Sequence, residues 1–496
     1  MGQVKRDSII NTAIMYGGIG VGYLNKGLLF PLLLLTEEVG LINVVLLVVS
    51  FFGQLSNLGT GMLVMRFLPF MRGKEAGYSG LLFFATSILI GGIGLVSIVL
   101  LIFNVQILSF FVDRSPMLLD YSIWIIPLGI ASAFFSLFEH YLRAISKNIV
   151  SVFIQDFVLR ISVLLSLVIF YIGLVDIQTF LVIFFSLHFI PVFFLFLYLL
   201  YLKQFYISSS YLSIGKKLRK HMLGYGLIVY VNGIGRSIIL MADTIMLSVL
   251  SGLKEVGVFT TMVFLSNALF VPYVSVIKTA APNVPRLWKK KDMLGLTELY
   301  KKVSSIGYFV TFTLFSLVWF NIDFALSYLP EDYSGGKYIF LLLMIGRMFD
   351  ALGGINGDIL LTSKKFKIEI WLTVPLMLMV FFFNYFLIPT YGGLGAAIVT
   401  AGVYILYNVL RVFFNVYFFK LFPYDRQFLK LFALSIVMFS LGALADYFLK
   451  GILHFLIVTI IPLVFFVLPV YKLNLIPEIN EFIHQILIKV KLKNAN

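Results

Sequence analysis

Glu38-Val39-Gly40 opens the apolar run Leu41-Ile42-Asn43-Val44-Val45-Leu46-Leu47-Val48-Val49, and 217 residues later Glu255-Val256-Gly257 opens another. Ser146-Lys147 recurs as Ser363-Lys364 at the same offset. Each match is short, but both share one spacing and fall between equivalent apolar segments. The pattern reads as a duplicated membrane domain, which points to a transporter that rocks one half against the other.

The composition agrees with a membrane setting. Of the 496 residues 60% are hydrophobic and 12% charged, with a mean hydropathy of +1.01. A water-soluble fold of this length could not bury so much apolar surface, so lipid must be part of the solvent. At roughly 20 residues per crossing, about fourteen spans are predicted: 8–35, 37–65, 77–104, 117–142, 149–173, 177–202, 219–251, 255–281, 303–323, 338–362, 366–389, 393–419, 427–449 and 452–471. The expected class is an all-α polytopic membrane protein. The offset encloses six spans, an even number, so the two copies should run parallel about an axis normal to the membrane. The predicted organisation is a six-helix lobe at 1–202, a linker at 203–218 and a second six-helix lobe at 219–420. Two additional helices follow at 421–471, then a tail at 472–496. Residues 476–493 mix apolar residues with late lysines, as an amphipathic helix resting on the membrane would.

The net charge of +15 raises nucleic acid as a partner, and its distribution decides against it. Of the 38 Lys and Arg residues, only Arg114, Lys254, Lys337 and Lys450 fall in predicted outer loops. That asymmetry predicts both termini in the cytoplasm. Lys216-Lys217-Arg219-Lys220 and Lys289-Lys290-Lys291 then read as topology signals near anionic lipid. The first apolar segment follows Lys5 and Arg6, is longer than a signal-peptide core and lacks an evident cleavage site, so it is expected to be retained. The absence of cysteine excludes disulfides and thiol chemistry.

Charges inside the spans are the candidate functional residues. A charge at mid-bilayer costs at least ~2.5 kcal/mol on insertion scales, so such groups face a bundle interior or a wet cavity. Lys278 and Glu139 lie close enough to span ends to snorkel. Asp156 and Arg160 are spaced for a local pair on one helix. Lys26, Arg236 and Asp243 lie deep in the first span of each copy. Arg236 and Asp243 share a helical face, and Lys26 and Asp243 are equivalent under the 217-residue offset. These three either line a central cavity or form a buried ion pair. Arg347, with Asp350 and Asp358, forms a second group, and Arg411 is left open. An excess of cations suits an anionic substrate, phosphate or pyrophosphate above all, since Arg offers a planar fork of donors and Lys a point charge. The acids either offset those cations or bind a coupling ion, H+ or Na+; no other cofactor and no metal site is expected.

Other signals carry less. Gly17-Gly18-Ile19-Gly20-Val21-Gly22 lacks the strand–turn–helix context of a nucleotide loop and reads as a close helix contact. The histidines have no metal-like spacing. The predicted outer loops are short and no nucleophile–base set is present, so an enzyme is not expected.

Several segments resemble a known family. Gln54-Leu55-Ser56-Asn57-Leu58-Gly59, leading to Arg66 and Pro69, is similar to the second helix of bacterial polysaccharide-export flippases. Leu142-Arg143-Ala144 through Gln155 and Arg160 is similar to their helix 4–5 junction. Pro282, Pro285-Arg286 and Leu299-Tyr300-Lys301-Lys302 are similar to the segment leaving helix 8. Asn384 with Leu387-Ile388-Pro389-Thr390-Tyr391-Gly392-Gly393-Leu394-Gly395-Ala396-Ala397 resembles their helix 11–12 pattern. The chain thus resembles the Wzx-type oligosaccharide flippases, in the superfamily that also holds lipid II flippases and MATE drug exporters. The resemblance implies a fourteen-helix, two-lobed, V-shaped carrier with a cationic cavity in the bacterial cytoplasmic (inner) membrane. It implies a substrate of undecaprenyl-pyrophosphate-linked oligosaccharide, moved from the inner to the outer leaflet by alternating access. Polysaccharide polymerase and chain-length proteins would be pathway partners. The rival expectation is an ion-coupled, MATE-like small-molecule exporter.

Overall fold

The computed structural model describes residues 17–18, 20–71, 75–204, 216–449 and 451–481. Among them every regular element is helical. Ten helices are long and apolar enough to cross a membrane, or eleven if one bent pair counts as a span. Leu95, Leu101, Phe382, Tyr385 and Phe386 are among many large apolar side chains left exposed. Outward-facing apolar side chains on helices that satisfy their own backbone hydrogen bonds are what a bilayer requires. The chain is a multi-pass membrane protein.

The count of fourteen is not reached among the described residues. The first predicted span begins in residues outside the description, where only a π-helical stretch, Tyr23–Leu29, and the short helix Phe30–Leu33 follow. The helices used below are α1 (Thr36–Asn57), α2 (Thr60–Met71), α3 (Glu75–Ile102), α4 (Ile125–Ala144), α5 (Leu159–Tyr171), α6 (Ile177–Leu187) and α7 (Ile190–Tyr201). Then come α8 (Lys216–Leu250), α9 (Leu253–Ala280), α10 (Asn283–Lys290), α11 (Met293–Trp319), α12 (Gly336–Gly353) and α13 (Asn356–Thr362). α14 (Lys367–Phe419), α15 (Arg426–Phe448) and α16 (Gly451–Pro462) complete the set. The tail predicted as an amphipathic helix falls outside the described residues beyond Glu481.

The chain divides into two compact units, Met1–Gly257 and Val258–Asn496. In the first, Phe52 of α1, Leu63 of α2, Leu89 of α3 and Leu137 and Tyr141 of α4 form a buried core with Leu195 of α7. The predicted span 37–65 is broken in the structure. Leu58 and Gly59 take positive φ values of 46° and 79°, and Asn57 Oδ1 accepts from Thr60 Oγ1 at 2.6 Å and Gly61 N at 3.1 Å. Those bonds satisfy the first turn of α2, and a Cβ on Gly59 would lie 2.1 Å from Gly226 O of α8.

The two Glu-Val-Gly segments meet in a physical contact in this unit. Glu38 accepts the Leu35 N–H at 2.8 Å, closing the first turn of α1. A Cβ on Gly40 would lie 2.0 Å from Leu253 O, and one on Gly257 1.9 Å from Thr36 O. Thr36 and Leu253 are themselves equivalent under the offset, so the contact is reciprocal. Only glycine on both sides lets the backbones approach so closely.

In the second unit, Tyr273, Val284, Leu296, Tyr300, Ile359 and Leu421 form the buried core. The predicted tenth span, 338–362, is also broken: α12 and α13 meet at a 52° bend. Gly354 at the bend has φ 55° and ψ −127°, a conformation that side chains on other residues disfavour. α14 reverses at Gly392, with φ 53° and ψ −134°. Its two arms run antiparallel, since Glu369 meets Arg411 while Thr373 meets Tyr407. The quoted Pro389-to-Ala397 motif is therefore the turn of a helical hairpin. A Cβ on Gly395 would lie 2.4 Å from Leu387 O.

Candidate functional site

The first unit carries a charged cluster around its first helix. The π-helical stretch Tyr23–Leu29 holds Lys26, and a second, Ile154–Val158, holds Asp156 just before α5. π-Turns widen a helix locally and are frequent at functional sites. Arg160 of α5 binds Asp156 Oδ1 through Nη2 at 2.7 Å and Gly18 O through Nη1 at 2.6 Å. Asn25 donates to Arg160 O at 2.8 Å. The glycine run makes this possible. A Cβ on Gly18 would strike Asp156 O at 2.1 Å and one on Gly22 would lie 2.7 Å from Arg160 Nη1, whereas Gly17 and Gly20 have nothing within 4 Å.

Lys26 is half-buried beside this pair. Arg160 is near enough to repel it, and His188, whose Nδ1 lies 2.8 Å from Phe184 O, shares that field. Asp156 is taken by Arg160, and Lys26 forms no ion pair among the described residues. Asp243 is half-buried on α8 between Ala242 and Thr244, both buried. Arg236 belongs to α8 by its backbone, and its side chain lies outside the described residues.

The second unit gathers the remaining candidates into a polar network. Arg347 of α12 donates through Nη2 to Asn267 Oδ1 and through Nη1 to Tyr404 OH at 3.2 Å. Its guanidinium also lies over the Phe270 and Tyr404 rings, 4.9 and 5.0 Å from their centroids. All of these contacts are neutral, and the charge partner Asp350 acts on Arg347 through its field, without an ion pair within 4 Å among the described residues. One turn on, Asp350 accepts from Asn408 Nδ2 at 3.3 Å. Asn408 in turn accepts from Asn356 Nδ2 at 3.0 Å, and Asn415 binds Asn356 O at 3.0 Å. These bonds fasten the broken helix to the hairpin.

Arg411 is resolved by the structure. It forms a buried ion pair with Glu369 on the facing arm of α14. Tyr407 OH donates to Glu369 Oε1 at 2.6 Å and the Tyr407 ring lies 3.7 Å beneath the Arg411 guanidinium. Asp350 lies in the fields of Arg347 and Arg411, and Asp358 in that of Arg411. Glu369, Tyr407, Asn408 and Asn267 were not singled out from the sequence. Glu369 follows Lys364, Lys365 and Lys367 in the sequence, and only the hairpin brings Arg411 to it.

The candidate residues thus fall into two kinds. Arg160 and Arg411 are held by carboxylates and serve as clamps. Lys26 and Arg347 have no carboxylate within ion-pair distance among the described residues. Such cations can donate to phosphate oxygens without first breaking an ion pair. No group of three or more His, Asp or Glu residues placed to hold a metal occurs among the described residues.

No protein-family model matches the chain. A curated relative, the capsular polysaccharide biosynthesis protein CapF of Staphylococcus aureus, is 27% identical over 157 residues, which is 31% of this chain and 39% of that protein. The chain thus matches less than half of that relative's length. Among solved structures, the lipid II flippase MurJ in an inward closed conformation superposes with a TM-score of 0.73 at 15% identity, covering 94% of this chain and 100% of that one. An inward-facing multidrug resistance MATE transporter of the MOP superfamily gives 0.61 at 13% identity, covering 82% and 96%. The matched structures are a flippase and transporters. The chain has the membrane transporter fold shared by the MurJ lipid II flippase and the MATE proteins of the MOP superfamily.

Proposed function

We propose that this protein is a flippase that carries undecaprenyl-pyrophosphate-linked oligosaccharide from the inner to the outer leaflet of the bacterial cytoplasmic membrane. The observation that carries the reading is the presence of two cations, Lys26 and Arg347, neither with a carboxylate within ion-pair distance among the described residues. Burying such charges is costly unless an anion completes them, and a pyrophosphate-linked head group is such an anion. The likeness to MurJ over its whole length and the partial likeness to a capsular polysaccharide biosynthesis protein support a lipid-linked glycan as cargo.

In this reading the copies at 1–202 and 219–420 are the two lobes, both termini are cytoplasmic, and alternating access moves the head group while the prenyl tail stays in lipid. Arg236 and Asp243 belong to the cargo site, and Asp243 releases a cation when substrate enters. Some contact must favour the loaded state, because a site that binds both states equally shifts nothing. A coupling ion, H+ or Na+, would act through Asp350 or Asp358. A polysaccharide polymerase and chain-length proteins would act on the flipped product.

The second reading, an ion-coupled exporter of small molecules, draws on the MATE likeness. A deletion strain separates the two. The flippase reading expects lipid-linked oligosaccharide to accumulate on the cytoplasmic side and wild-type protein to clear it. Unchanged intermediates together with altered drug sensitivity would favour the exporter.

A further inference from the structure

Apart from the transport path, the second unit holds an open crevice of about 1280 Å3 where α10, the start of α11, the α14–α15 connection and the segment after Lys472 meet. The spans α9, α11 and α15 begin or end here, so the crevice lies at the depth of the lipid head groups. The positive-inside pattern assigns this face to the cytoplasm.

α10 is built to hold charge at that level. Val284, Leu287 and Trp288 of α10 pack into the core with Leu296, Tyr300 and Phe419, the Trp288 and Phe419 rings meeting edge to face at 5.0 Å. Its opposite side presents Arg286, Lys289 and Lys290, all exposed, lining the crevice, and without an ion pair among the described residues. Lys301 and Lys302 of α11 complete a set of five cations. These two are lightly occupied: Lys302 holds Glu478 at 3.0 Å and Lys301 lies 3.9 Å from Asp425. The cations outnumber the three carboxylates of the lining, Glu298, Asp425 and Glu478, and Leu287, Leu299, Leu475, Ile476 and Pro477 supply an apolar stretch of wall. Beside it the first turn of α11 exposes Leu294 at 80% and Met293 at 37%.

We propose that this crevice binds the head group of an anionic glycerophospholipid from the adjoining leaflet. The three cations without carboxylates match a phosphate and its neighbours. The apolar wall and the exposed Met293-Leu294 tip match the glycerol and upper acyl region, which a free phosphate lacks. The volume exceeds the roughly 300–1,000 Å3 of a drug-sized pocket, so a head group fits together with its glycerol.

The test uses full-length protein in nanodiscs of equal parts phosphatidylglycerol and phosphatidylcholine, measuring by native mass spectrometry which lipid stays bound. Each cation near an anionic surface contributes about fivefold in affinity, so wild-type protein should retain phosphatidylglycerol with a preference of at least about tenfold. The variant Arg286→Gln/Lys289→Gln/Lys290→Gln should lose it, because these side chains are exposed and their loss leaves the core intact. A control with equal charge removed elsewhere, Lys364→Gln/Lys367→Gln/Lys420→Gln, should keep it. Equal loss in both variants, or retention in the first, would overturn the site. Glu478→Gln frees Lys302 and should raise retention by about fivefold; an unchanged ratio would overturn the five-cation assignment. Inorganic phosphate in excess should not displace the lipid. Displacement would make free phosphate the ligand and overturn the lipid assignment.

Discussion

Two glycines four residues apart explain how charge is tolerated in the first helix. Gly18 and Gly22 let Arg160 and Asp156 sit against its backbone. Overpacking a tight contact costs about 1–3 kcal/mol, so Gly18→Ala should lower thermal stability in detergent by that amount. Gly17→Ala, with open space around it, should change nothing measurable. In the second unit Glu369 and Arg411 form a buried clamp. Removing one partner leaves a buried charge uncompensated, at about 3–5 kcal/mol. Glu369→Ala should therefore destabilise strongly, and Glu369→Leu combined with Arg411→Met should recover most of the loss. If the double variant is as unstable as the single one, the pair is not a self-contained clamp. The sequence pointed to Lys26, Arg347 and Arg411 because intramembrane charge is rare and costly. It did not separate clamps from free cations, since that depends on Glu369 and Asn267, which reach their partners only through the tertiary fold.

At the scale of elements, periodic apolar runs located the spans and missed their breaks. Hydropathy sees length and composition, whereas the breaks at Leu58-Gly59, Gly354 and Gly392 are single-residue conformations inside apolar runs. Gly392→Ala forces a side chain into a region that disfavours it, at about 1–3 kcal/mol. Loss of the α14 hairpin should then appear as a lower melting temperature and earlier proteolysis. The Glu-Val-Gly repeat makes a sharper prediction. Because the Gly40 and Gly257 contacts are reciprocal, Gly40→Val and Gly257→Val should each weaken folding or expression to a similar degree. The two changes should also be non-additive, as expected for residues in one contact. Additive effects would mean the glycines act separately.

For the whole molecule, the fold was legible from very little: apolar runs, a one-sided charge distribution and two short repeats. The fold comparison agrees with an all-helical membrane transporter fold. What the sequence left open, the cargo, is the kind of property that lies in a site and not in a fold. Charge-assisted hydrogen bonds contribute about 1.5–3 kcal/mol each, so Lys26→Ala and Arg347→Ala should each slow transport by about tenfold to a hundredfold. Lys26→Arg should keep part of the activity, since the charge is retained.

The most direct measurement is flipping of a short-chain lipid-linked oligosaccharide by purified protein in vesicles, read as the fraction reached by an impermeant glycan-modifying enzyme. The account predicts rapid, protein-dependent exposure that Lys26→Ala and Arg347→Ala both slow, with folded protein confirmed in each case. Transport unaffected by either change would contradict the cationic site, and no protein-dependent exposure by wild-type protein would contradict the flippase itself.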